Sequence, residues 1–104
     1  MGYYWFNNCP PEKLEQVSKL CQLAGMNEDE CEGGIRQWIS DSMGLVRYTP
    51  NETCPPLLVQ PFESREGKQE TIDFLKSMIR LTGTTEVYED SERKTKLNLA
   101  ILFS

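Results

Sequence analysis

Histidine is absent from these 104 residues. That removes Ser-His-Asp and Cys-His nucleophile activation, His general-base catalysis and His-ligated zinc. The four cysteines, at 9, 21, 31 and 54, include no Cys-x-x-Cys pair, so the usual spacing of a structural zinc site is missing as well. Gly33-Gly34 and Gly83 lack the spacing and the following Lys-Ser or Lys-Thr of a phosphate loop. No run approaches the roughly 18 consecutive apolar residues of a membrane-spanning helix. The start, Met-Gly-Tyr-Tyr-Trp-Phe, has neither the basic region nor the apolar stretch of a secretory signal, and Phe6 stands where a myristoylation pattern wants Ser or Thr. These absences read as a soluble chain with no cofactor and no metal.

Positive charge is also scarce. Eleven Lys and Arg face 16 Asp and Glu, a net charge of −5. Residues 1–52 hold 4 basic and 8 acidic side chains and residues 53–104 hold 7 and 8, so the excess lies mainly in the first half. Phosphate backbones and anionic bilayers attract clustered Lys and Arg. The expected partner is therefore a protein, with no direct nucleic-acid or membrane contact. The length fits one domain, 1–104, with 38% hydrophobic residues to form its core.

Tyr3-Tyr4-Trp5-Phe6 reads as a short strand, since aromatic residues favour the pleated state. Leu14, Val17, Leu20, Cys21 and Ala24 recur at helical spacing and predict a first helix over about 11–24, stopped at Gly25. Asn27 with Glu30 three residues on resembles a capping box, and Cys31, Ile35, Trp38, Ile39 and Met43 continue at helical intervals. A second helix over 28–43 follows, with Gly33-Gly34 marking a kink or a close backbone approach. Leu45–Tyr48 and Leu57–Gln60 read as extended, separated by a turn-rich stretch. A third helix runs from about Ser64 to Thr82 and stops at Gly83. Thr85–Glu89, a polar turn and a long strand Lys96–Phe103 complete a terminal hairpin. The fold class is α+β: three helices packed on a small antiparallel sheet containing a C-terminal β-hairpin.

Cys21 and Cys31 lie symmetrically about Met26, which in a helical hairpin puts them level on facing helices, as two buried thiols or as a disulfide. Cys9-Pro10-Pro11 echoes Cys54-Pro55-Pro56, which admits a second bridge. Two bridges would place the chain in an oxidising compartment and make Asn51-Glu52-Thr53 a glycosylation acceptor.

Glu28, Asp29, Glu30 and Glu32 lack the glycine and terminal Glu of a calcium loop and read as helix capping. Trp38 reads as core. The candidate partner-binding residues are Tyr3, Tyr4 and Trp5, because Tyr and Trp are enriched at interface hot spots, and Glu86, Glu89, Asp90 and Glu92, an acidic group able to meet a basic surface. The expected function is a non-enzymatic acidic protein-binding module, of the kind a virus or mobile element uses to inhibit a basic, nucleic-acid-handling host protein in the cytoplasm. The alternatives are a homo-oligomeric subunit, a homodimer at its simplest, assembling through the Leu97–Phe103 strand, and a secreted disulfide-stabilised domain.

Overall fold

The computed structural model describes residues 2–50 and 55–103. It contains a six-stranded antiparallel sheet and three helices. The strands are β1 (Tyr4–Phe6), β2 (Asn27–Glu30), β3 (Arg36–Ile39), β4 (Gly44–Tyr48), β5 (Leu57–Pro61) and β6 (Val87–Tyr88). Their order is β2-β3-β4-β5-β1-β6, so the first strand of the chain lies inside the sheet. The helices are α1 (Leu14–Leu23), α2 (Gln69–Thr82) and the single turn α3 (Leu99–Leu102).

α1 begins after a 3-10 turn at Pro11–Lys13, where the missing proline N–H and fixed φ suit a helix start. Its inward stripe buries Val17, Ser18 and Cys21. α2 buries Thr71, Phe74, Leu75, Met78, Ile79 and Thr82 and ends at Gly83, whose φ of 70° no β-carbon opposes. It starts five residues later than the sequence predicts, because Glu63–Arg65 forms a separate 3-10 turn and Gly67 takes a left-handed φ.

The predicted second helix is a hairpin. Asn27–Glu30 and Arg36–Ile39 pair in register, Glu28 opposite Trp38 and Glu30 opposite Arg36. Gly33 and Gly34, at φ 71° and 78°, turn the chain between them. Two successive left-handed residues suit a turn and stop a right-handed helix. Ile35, Trp38 and Ile39 then favour the pleated state, and the capping reading of the acidic cluster falls with the helix.

The second correction is the long strand Lys96–Phe103. The chain returns beside β6 for one bridge, Tyr88 to Lys96, with Leu97 N–H donating to the Val87 carbonyl. Asn98 Oδ1 then accepts from the N–H groups of Ala100 and Ile101 and starts α3. The proposed oligomer contact through that strand loses its strand.

Paired residues on adjacent strands share a face. One face carries Tyr4, Phe6, Trp38, Val46, Tyr48, Leu57, Val59 and Val87, and α1 and α2 lie side by side over it. Val17, Cys21, Phe74, Leu75, Met78 and Ile79 from the helices join these strand residues in one core, with Leu97, Leu99 and Leu102 packed at its margin. All three helices are therefore on this side of the sheet.

A candidate protein-binding face of the sheet

The other face begins with alternation in β4: Val46 and Tyr48 point inward, so Leu45 and Arg47 point out. Following the pairing across the sheet gives one continuous row, Tyr88, Trp5, Leu58, Arg47, Gln37 and Asp29, with one residue from each strand. A second row holds Gln60, Leu45, Ile39 and Asn27. None of these side chains belongs to the core cluster. The face is apolar and aromatic at the β6–β1–β5 end and polar toward β2.

Trp5 and Tyr88 are cross-strand neighbours and half-buried, an arrangement in which two aromatic rings reinforce each other. Leu58, between Trp5 and Arg47, is only 5% exposed although it lies outside the helix-covered core. Arg47 Nε donates to Gln37 Oε1 at 2.9 Å, which fixes the guanidinium along the row. The Tyr88 hydroxyl donates to the Glu86 carboxylate, and that bond holds the phenol above its ordinary pKa.

The predicted binding residues separate in space. Tyr3, two residues before Trp5, and Glu86, two before Tyr88, fall with the open face. Tyr4 falls on the other side, packed against the core, and burial together with Glu66 and Glu89 raises its pKa. Glu89 accompanies Tyr4 there. Asp90 accepts from the N–H groups of Lys94 at 2.9 Å and Thr95 at 2.7 Å, which lowers its pKa and closes the turn. Glu92 pairs with Lys94 Nζ at 2.7 Å. The four acids thus have different local contacts: one anchors Tyr88, one neighbours Tyr4, one holds a turn and one pairs with a lysine.

On the covered face, Glu28 is the centre of a network. Arg36 donates to it through Nε at 2.7 Å and Nη2 at 2.8 Å and reaches Glu15 on α1 through Nη1 at 3.2 Å. Ser18 Oγ donates to Glu28 at 3.1 Å and accepts from Trp38 Nε1 at 3.2 Å. Arg36 also lies 5.2 Å from the centre of the Trp38 ring. The Arg36 bonds, opposed by partial burial, hold the Glu28 carboxyl below its ordinary pKa. These contacts fasten α1 to the β2–β3 hairpin. Trp38 is core, as its sequence position implies.

Cys9, Cys21 and Cys31 carry free thiols, so Cys21 and Cys31 are not bridged. Cys21 is buried and Cys31 exposed. Burial pushes the Cys9 thiol up to about 11, and burial with the nearby Glu28 pushes Cys21 up to about 12, which leaves little nucleophilic thiolate at neutral pH. The Cys9–Cys54 bridge and the Asn51-Glu52-Thr53 acceptor involve positions outside the described residues. Among the described residues no helix is long and apolar enough to cross a membrane.

Sequence reasoning reached Tyr3 and Trp5 but missed Tyr88, Leu58, Leu45 and Ile39. The alternation in Leu45-Val46-Arg47-Tyr48 was the available signal for the outward position of Leu45. Comparison with protein-family models, with curated proteins and with solved structures found no match to this chain.

Proposed function

We propose that this protein is a non-enzymatic protein-binding module and that the uncovered sheet face is its interface. The observation that carries the reading is the row from Tyr88 through Trp5 to Leu58, an aromatic and aliphatic strip on the face opposite all three helices. Antiparallel sheets commonly leave one face to water, and that face is then polar. Here Trp5, Tyr88, Leu45 and Ile39 are half-buried on it. Rigid aromatic side chains at the centre of a patch with polar groups around them are the usual composition of an interface hot spot.

The net charge of −5 supports a partner with a basic surface. Glu86 lies beside the Tyr88 end of the strip, Arg47 follows Leu58 at its other end and Asp29 closes the same row on β2, so the matching surface is apolar with separated cations. The absence of histidine and the raised thiol pKa values support a role without catalysis. An inhibitor of a nucleic-acid-handling host protein, made by a virus or mobile element and acting in the cytoplasm, is the fuller form of this proposal.

The test is affinity capture from candidate host lysates at low and moderate salt, with the wild-type chain beside a Trp5→Ala/Tyr88→Ala variant. A partner retained by the wild type and lost by the variant carries the reading. Equal recovery by both, or no partner at either salt, sinks it.

A further inference from the structure

We propose that the free edge of the sheet at β2 binds an extended basic segment of a partner protein, which adds to the sheet as a further strand. The direction of the β2 main chain follows from the pairing register. Residues opposite each other in antiparallel strands alternate between pairs that exchange hydrogen bonds and pairs that do not. Ser40 N–H donates to the Gly44 carbonyl, so in β3 the even positions Arg36 and Trp38 bond to β4, and the odd positions Gln37 and Ile39 bond to β2. The partners of those odd positions are Asp29 and Asn27. Glu28 and Glu30 therefore turn their N–H and C=O groups away from β3, and β2 is the last strand on its side. The Glu28 side chain, held by Arg36, is only 26% exposed, yet the residue as a whole is exposed, so its main chain is open to water.

The opposite edge is closed. β6 has two residues, and the chain returns along its outer side, where Glu89 N–H donates to the Thr95 carbonyl and Leu97 N–H to the Val87 carbonyl. Edge strands are ordinarily protected by a covering segment of this kind, or by lysine, proline or a bulge. β2 has four residues in unbroken register and carries neither lysine nor proline. Its unpaired main-chain groups are a template for another strand.

Charge selects the occupant. Asp29 lies on the open face of the sheet and shares a depression with Asp41, Asn27 and Ser42. Among the described residues neither acid has an ion-pair partner. A second copy of β2 would set acid against acid, and like charges directly opposite disfavour pairing. A Lys or Arg opposite Asp29 reaches the depression that holds both carboxylates. The residues on either side of it in the added strand point to the other face, where Arg36 already neutralises Glu28 and Cys31 and Ile35 line the surface. The matching segment therefore alternates, with basic residues toward Asn27 and Asp29 and β-branched residues between them.

The experiment uses the full chain and a fluorescein-labelled peptide of about eight residues, a usual strand length, in which Lys alternates with Val. One control has Glu in place of Lys. Two others keep every side chain and are N-methylated, either at the Val residues, whose N–H groups would donate to Glu28 and Glu30, or at the Lys residues, whose N–H groups would face away. Fluorescence anisotropy at near-physiological salt is expected to show saturable one-to-one binding of the parent peptide and of the Lys-methylated one. The Glu peptide and the Val-methylated peptide should bind at least tenfold more weakly. Asp29→Lys should weaken the parent peptide at least tenfold, while Glu92→Lys, an equal charge change beyond the opposite edge, leaves it unchanged. Hydrogen exchange at the Glu28 and Glu30 amides, fast in the free chain, should slow on binding, and circular dichroism verifies that each variant is folded. Absence of binding, equal binding of the Glu or Val-methylated peptide, indifference to Asp29→Lys, or unchanged exchange at Glu28 overturns the proposal. The sheet-face reading rests on β1 and β6, at the other end of the sheet, and its capture test is decided separately.

Discussion

The two faces of the sheet are built from the same strands by the same alternation, yet they have different neighbours. Trp38 and Trp5 make the contrast concrete. Trp38 is fully buried, donates its indole N–H to Ser18 and lies under the Arg36 guanidinium. Trp5 is half-buried, beside Tyr88, with no helix over it. The difference teaches that aromatic content by itself does not mark a core: what decides is whether the opposing layer is present. The covered face is fixed by helix packing and one ion-pair network, and the open face by side chains leaning on their own cross-strand neighbours.

Trp38→Ala should break the covered face most severely. Removing a fully buried indole is expected to destabilise the fold by about 3–5 kcal/mol, measured as a fall in urea midpoint, whereas Trp5→Ala should lose about 1–2 kcal/mol and act mainly on partner capture. Equal losses would abolish the distinction between the faces.

Gly44→Ala comes next. A β-carbon there would run into the Gln60 carbonyl, at a residue whose φ of 138° already favours glycine. The expected destabilisation is about 2–3 kcal/mol, from strain shared by β4 and β5. Gly33→Ala, whose site is open but has φ of 71°, should lose only about 1 kcal/mol.

The Glu28 network gives a pH-dependent test. Its carboxyl titrates below the ordinary value in the folded state, so the stabilisation is fully present above the unfolded carboxylate pKa and lost as pH falls through the lowered folded value. Urea midpoints between pH 7 and pH 3 should drop for the wild type, and Glu28→Gln should flatten part of that drop. An unchanged slope would remove Glu28 as the clasp of α1 on the β2–β3 hairpin.

The smallest effect concerns the thiols. In a Cys54→Ser background, native-state labelling should modify the exposed Cys31 promptly and leave Cys9 and Cys21 until unfolding, because burial keeps both protonated and out of reach. Rapid loss of all three would contradict the closed core.

The sequence made α1, α2 and β4 legible because each has one hydrophobic period over its whole length. It misled over 27–43, where Ile35, Trp38 and Ile39 satisfy helical spacing and hairpin pairing alike, and where Asn27 and Glu30 imitate a capping box. The two glycines were the decisive signal, and their meaning depended on a left-handed φ that sequence does not state. At the C-terminus, Leu97, Leu99, Ile101 and Phe103 alternate as a strand would, but β6 offers only two residues to pair with, and Asn98 is a good helix cap. The sheet-face site was half legible for a similar reason. Trp5 announces itself by composition, while Tyr88 becomes its neighbour only through a register set between opposite ends of the chain.

The position of β1 carries a consequence for the order of assembly. β1 pairs on both sides with segments synthesised much later than itself, β5 and β6. Such closures across long stretches of chain are entropically slow. On the ribosome, Tyr4–Phe6 must therefore wait without a strand partner until Leu57–Pro61 has emerged, while the β2–β3–β4 meander can form early from local turns. The domain is thus expected to finish folding by capturing β1 between β5 and β6, and the aromatic strip is among the last surfaces to exist.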